Sequence, residues 1–171
     1  MTQEKIYESY PLWIIIVSSL LSISIYAIGG FILYRIGLIW SVAYFIYILL
    51  LEVRLLKKSC VNCYYFGKAC AFGKGRLSSL FFRKGDAQKF ASWQVTWKDI
   101  IPDFMVSVIP MAAAIVLLIR EFSLLTLALL IALFMLGFIG NGIVRSQLAC
   151  NHCKQRVIGC PAEKLFSKSK R

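Results

Sequence analysis

The chain has one histidine and eight acidic residues in 171. No charged residue falls within Leu12–Tyr34, Phe104–Ile119 or Phe122–Val144, and after Arg35 the run to Leu56 stays apolar until Glu52 and Arg54. With so few bases and no nucleophile-plus-base spacing, there is little material for hydrolytic or group-transfer catalysis, and the expectation leans away from an enzyme. Cysteine is absent outside two stretches, Cys60–Cys70 and Cys150–Cys160. A secretory leader is not expected, because Glu4 and Glu8 precede the first apolar run and no small-residue cleavage site follows it.

What is present in excess is apolar surface. The hydrophobic fraction is 59% and the mean hydropathy +0.72, against roughly 45–50% apolar residues in soluble domains. The excess is concentrated in four runs, each near the ~20 residues that cross a bilayer core. The expected fold is therefore an all-α integral membrane protein of four transmembrane helices. The turn of the first hairpin lies at Gly29-Gly30 or at Arg35–Gly37. The two cysteine stretches are ninety residues apart, and that offset maps Gly30 onto Arg120 and Phe31 onto Glu121, which favours the glycine pair. The predicted helices are 11–28, 31–56, 102–119 and 122–146. On this reading residues 1–74 are a first hairpin with its thiol motif. Residues 75–101 are a linker, and 102–171 repeat the hairpin and motif with a basic tail. Pro110 is expected to kink the third helix, and Gly137, Gly140 and Gly142 to allow close packing of the fourth.

Charge sets the orientation. Lys57–Ile100 carries nine Lys/Arg against two Asp, or +7, and Arg145–Arg171 carries seven against one Glu, or +6. Basic loops stay on the cytoplasmic side, so both motifs and both termini are expected there, in the cell membrane. The two hairpins then insert in the same sense, as a parallel repeat about an axis along the membrane normal. The linker interleaves Phe81, Phe82, Phe90, Trp93 and Trp97 with cations. Interfacial contact with the lipid bilayer and anionic lipid headgroups explains this composition, and no nucleic-acid partner is needed. A cytoplasmic protein partner is the other candidate. Arg35, Glu52, Arg54, Asp103, Arg120 and Glu121 are expected near span ends, which argues against a transport path. Lys74 and Lys164 follow the motifs at matching positions and are taken as ordinary positive-inside lysines.

The motifs "CVNCYYFGKACAFGK" and "CNHCKQRVIGCPAEK" are both C-x2-C-x6-C-x3-K. Disulfides do not suit thiols in a reducing cytoplasm, whereas paired C-x2-C motifs are a metal-binding signal. Cys60, Cys63, Cys70, Cys150, Cys153 and Cys160 are the candidate ligands, three in each half. His152 lies inside the second C-x2-C and has Asn62 at the matching position, so it is not counted among them.

This doubled spacing resembles the fungal binuclear zinc-cluster domain, though it covers only the two short stretches and here a whole hairpin separates them. The resemblance implies about two zinc ions on six thiolates, with Cys60 and Cys150 as the bridging pair; a zinc cluster joining two hairpins would act as a structural clasp or as a module docking lipid or a partner protein. The alternative is an iron–sulfur cluster in electron transfer, for which Cys160-Pro161 is the sequence cue. Two weaker readings are a metal-handling protein and a quinone-linked thiol oxidoreductase. Enzymes of the latter kind keep their thiols on the outer side, where these turns have none.

Overall fold

In the first helix, α1 (Leu12–Tyr34), an unbroken apolar sequence with no charge carries the helix through both glycines. The computed structural model describes residues 6–93 and 95–161, without the side chains of Ala87 and Lys89. Lys164 and the tail beyond Pro161 lie outside the described residues. After a turn at Arg35–Gly37 come α2 (Leu38–Lys58), a single 3-10 turn (Cys60–Asn62), α3 (Lys74–Phe81) and α4 (Ala87–Ser92). A long helix α5 (Trp97–Arg120) follows, and then α6 (Leu124–Phe134). The chain continues from α6 without a break. It passes through a π-helical stretch at Met135–Gly140, α7 (Asn141–Ile143) and a second π-helical stretch at Val144–Cys150, before a short α8 (Lys154–Gly159). Four helices are long and apolar enough to cross a membrane: Leu12–Tyr34, Leu38–Asn62, Trp97–Arg120 and Leu124–Cys150.

The first turn is not at Gly29-Gly30, and the helix limits 11–28 and 31–56 are corrected accordingly. The glycines serve packing instead. A Cβ at Gly29 would collide with the Tyr44 ring and Pro110, and one at Gly30 with the Phe45 ring. Their absence lets α2 lie directly on α1, where Ser41 Oγ donates to the Gly30 carbonyl at 3.1 Å. Tyr44 completes a second join. Pro110 has no N–H, so the carbonyl four residues earlier, on Val106, loses its helical partner. The Tyr44 hydroxyl donates to that carbonyl at 2.8 Å. An unsatisfied buried carbonyl costs about 1–3 kcal/mol, so this bond keeps Pro110 tolerable inside the span.

The third helix starts at Trp97 rather than 102. Thr96 and Asp99 cap it reciprocally, with the Thr96 N–H reaching Asp99 Oδ2 at 3.2 Å. The end of the predicted linker is thus the first turn of a span, and α3 and α4 occupy much of the rest. Among the fourth-span glycines, Gly137 approaches Ser107 and Gly140 approaches Leu21, whereas Gly142 meets nothing within 4 Å. The packing role expected of Gly142 is absent.

Helix α1 sits at the centre. Ile25 and Ile32 join Ala114 of α5 and Leu133 of α6 in one cluster, and Leu33 joins Tyr44, Ile48 and Val106 in another. The outer surface is apolar as well: Ile39 is 82% and Ile119 80% exposed. Large aliphatic side chains facing outward along four helices suit hydrocarbon as the surrounding solvent. The two interhelical turns lie at one end of the bundle. The N-terminal segment and both thiol motifs meet at the other, around Tyr10, Ile14, Tyr65, Ala71 and Ala149.

Candidate metal centre

Each C-x2-C folds into the same knuckle. The Cys60 carbonyl accepts the Cys63 N–H at 3.3 Å, and the Cys150 carbonyl accepts the Cys153 N–H at 3.3 Å. The second cysteine then leaves the turn extended, with φ −82° at Cys63 and −83° at Cys153. The N–H two residues further on, from Tyr65 or from Gln155, acts to lower that cysteine's pKa, and at Cys153 so does the Arg156 N–H, which donates to the Cys153 carbonyl at 3.1 Å. At the third cysteine of the first motif, the Gly75 N–H donates to Cys70 Sγ at 3.2 Å. That bond needs Gly75 itself, since a Cβ there would strike the Tyr65 and Lys68 carbonyls. Gly73, at φ +69°, takes the left-handed conformation that swings the chain from Cys70 into α3.

The motifs are also bound to each other. Tyr64 N–H donates to Gln155 Oε1 at 2.7 Å, and Lys154 N–H donates to the Tyr65 hydroxyl at 3.0 Å. The N-terminal segment ties into both. Tyr7 N–H donates to the His152 carbonyl at 3.1 Å, and Tyr10 N–H to the Ala69 carbonyl at 2.9 Å. The Tyr10 hydroxyl donates to the Ala149 carbonyl, and Tyr65 donates to the Tyr7 carbonyl at 2.6 Å. Tyr7, Tyr10 and Tyr65 form a chain of ring contacts with centroids 5.4 Å apart, and the His152 ring lies 4.9 Å from that of Tyr7. Lys154 pairs with Glu8 at 2.6 Å on the exposed rim.

The sequence reading missed these tyrosines, Gln155 and Glu8. The adjacent "YY" after Cys63 and the "YESY" at positions 7–10 were visible. No periodicity, however, connects residues more than fifty positions apart.

All six cysteines are free thiols. Cys150 is exposed and the other five are half-buried. The charges acting most strongly on Cys60 come from Cys70, Lys74, Cys63 and Glu52. Those on Cys150 include Cys153, Cys160 and Arg145. Cys63 is in range of Cys153 and Cys160 across the motif boundary, as well as Cys70. Burial pushes the Cys63 thiol up to about 11, opposed by the Tyr65 N–H and reinforced by the neighbouring sulfurs. Burial likewise raises Cys153, against the pull of the Arg156 and Gln155 N–H groups. These thiols stay protonated at neutral pH unless a cation displaces the proton. Among the described residues, no group of three or more His, Cys, Asp or Glu is arranged to hold a metal ion. The motifs are brought together, with their sulfurs not drawn around one point.

Directly inside the thiols lies a charged layer. Lys74 Nζ pairs with Glu52 Oε2 at 2.7 Å, and the Tyr26 hydroxyl donates to Glu52 Oε1 at 2.8 Å. Arg54 pairs with Asp99 at 2.9 Å. Glu52 is six residues before the end of α2, or about 9 Å along the helix. It is thus further inside than a span-end carboxylate, and Lys74 is its ion-pair partner rather than an ordinary surface lysine. Arg145 lies over the Phe72 ring at 5.4 Å. Beside this layer a cleft of about 260 Å³ opens between α2, α4 and α5, with Arg54, Lys58, Trp93, Asp103 and Cys160 in its walls.

Compared with protein-family models, curated proteins and solved structures, the chain matches none of them.

Proposed function

We propose that this chain is a multi-pass protein of the cell membrane whose two hairpins, inserted as a parallel repeat, are clasped on the cytoplasmic side by a thiolate metal centre. Zinc is the favoured metal, with about two ions on Cys60, Cys63, Cys70, Cys150, Cys153 and Cys160. The observation that carries this reading is the pair of matching knuckles, joined to each other by the Tyr64 N–H on Gln155 Oε1 and the Lys154 N–H on the Tyr65 hydroxyl. Two dications and six thiolates leave a charge of −2; Lys74, itself paired with Glu52, acts on Cys60 and Arg145 acts on Cys150. The lipid surface, with its anionic headgroups, or a cytoplasmic protein is the partner that the clasped basic face would engage. Orientation follows from the +7 and +6 segments. A membrane-impermeant thiol reagent applied to intact cells should therefore leave Cys63 and Cys153 unlabelled.

The alternative is an iron–sulfur centre in electron transfer. The cleft beside Cys160 favours it, because the cleft offers a membrane carrier a place next to a ligand. Anaerobic purification followed by metal analysis and a visible spectrum separates the two. Colourless protein with about two zinc ions per chain supports the clasp, and brown protein with acid-labile sulfide replaces it with the electron-transfer reading.

A further inference from the structure

The basic linker interleaves cations with aromatic residues, and packing sorts those residues into two groups. Phe90 and Trp93 turn inward, with ring centroids 6.3 Å apart, and line the cleft beside α2. Phe81 turns outward on α3, whose two faces differ. Gly75 and Ser78 are buried, whereas Leu77, Leu80 and Phe81 are 43%, 78% and 72% exposed. Residues at i, i+3 and i+4 share one side of a helix, so these three form a single apolar face. Arg76, Arg83 and Lys84 flank it in sequence and are exposed, and no acidic residue occurs between Glu52 and Asp86.

Both ends of α3 are fastened to the end of α2. Lys74, its first residue, pairs with Glu52 at 2.7 Å. Beyond its last turn, the Gly85 N–H donates to the Val61 carbonyl at 2.9 Å and the Asp86 N–H to Asn62 Oδ1 at 2.9 Å. The helix therefore lies beside the last turns of the second span, at the depth where Lys57 and Lys58 close it. In that zone apolar side chains meet the edge of the hydrocarbon and cations meet lipid phosphate.

We propose that α3 is an interfacial anchor. Leu77, Leu80 and Phe81 enter the leaflet on the side of the thiol motifs, and Arg76, Arg83 and Lys84 gather anionic phospholipid around them. A partner protein would also meet the cations, but this face lies at bilayer depth, where lipid is the surrounding solvent. The inference rests on the reading of the four long helices as membrane spans, and it names the part of the basic face that lipid engages. It does not depend on the metal.

The test places a photo-crosslinking residue, p-benzoylphenylalanine, at Leu80 or at Ile39 of the full chain. The protein is held in nanodiscs of phosphatidylcholine with phosphatidylglycerol, and helix content is checked by circular dichroism. Ile39 is 82% exposed on α2 and reports the membrane reading alone. Irradiation should give lipid adducts at both positions, read by mass spectrometry. At Leu80 phosphatidylglycerol should be enriched about twofold or more over its share of the disc, and at Ile39 it should not. Salt at about 1 M, where the Debye length is about 3 Å, should abolish the enrichment, as should Arg76→Gln combined with Arg83→Gln and Lys84→Gln. Lipid adducts at Ile39 with none at Leu80 would overturn the anchor and leave the spans standing. Adducts at neither position would overturn the membrane reading beneath it. Adducts at Leu80 in the bulk lipid ratio would overturn the role of the cations. A cross-linked dimer at Leu80 would assign the face to a second copy, and in native membranes an adduct with another protein would assign it to that partner. The same residue at Phe81 gives an independent reading should the Leu80 variant fail to fold.

Discussion

The two hairpins share a turn and a thiol motif but reach the motif differently. The second helix of each pair begins at Leu38 and at Leu124, 86 residues apart, yet the cysteines are ninety apart. The first hairpin spends 22 residues between helix start and Cys60, and the second spends 26 before Cys150. In a regular α-helix four more residues would carry Cys150 about 6 Å further along the axis. The second hairpin takes up the excess in its two π-helical stretches, Met135–Gly140 and Val144–Cys150, because i→i+5 bonding takes in more residues per turn. One hairpin is regular and tightly joined through glycine. The other is overwound with residues and ends in the most exposed thiol. Helix geometry in the second hairpin absorbs the four extra residues, and both motifs still reach the same end of the bundle.

The largest expected effect breaks both hairpins at once. Structural zinc sites contribute apparent folding free energies of about 10–16 kcal/mol in small peptides, far above a single hydrogen bond. Cys63→Ser, or chelation, should therefore lower the thermal midpoint in detergent by on the order of 10 °C or more. Combining Cys63→Ser with Cys153→Ser should add little beyond either alone, since both act on one centre.

A register test sharpens the comparison. Deleting Leu50 from α2 turns the helix end by about 100° and should reduce bound metal by half or more. Deleting Phe138 from the π-helical stretch should leave the metal content unchanged, because that turn can tighten to α geometry. Equal losses would remove the π-helix from the account.

Smaller effects separate the glycines. Gly29→Leu forces α2 away from α1 and should cost about 1–3 kcal/mol of unfolding free energy. Tyr44→Phe, which strips the Val106 carbonyl of its donor, should cost about 1–3 kcal/mol. Gly142→Ala in the second hairpin meets nothing and should stabilise by up to about 1 kcal/mol. Denaturant or thermal unfolding followed by circular dichroism reads all three.

The sequence made the four spans legible because uncharged runs of about 20 residues admit few other structures. The Thr96–Asp99 cap was not read, although its signal is local, and the third helix was therefore started at 102 instead of Trp97. The first turn was misplaced because the cysteine offset was carried back to the helices, where the π-helical residues make it invalid. Gly29-Gly30 carried the same letters a turn would need, and only the approach of Tyr44 and Phe45 distinguishes packing from turning. At the thiols, the spacing named all six cysteines. It did not contain Tyr10, Tyr65, Gln155 or the Lys74–Glu52 pair, because each depends on contacts between distant segments.

The central claim is that six thiolates hold a zinc pair that clasps the hairpins. X-ray absorption at the metal edge of protein purified without added metal tests it most directly. The account predicts a zinc edge and a first shell of four sulfurs at about 2.3 Å, unchanged by His152→Ala. An iron edge, or a zinc shell containing nitrogen or oxygen in place of sulfur, would contradict it.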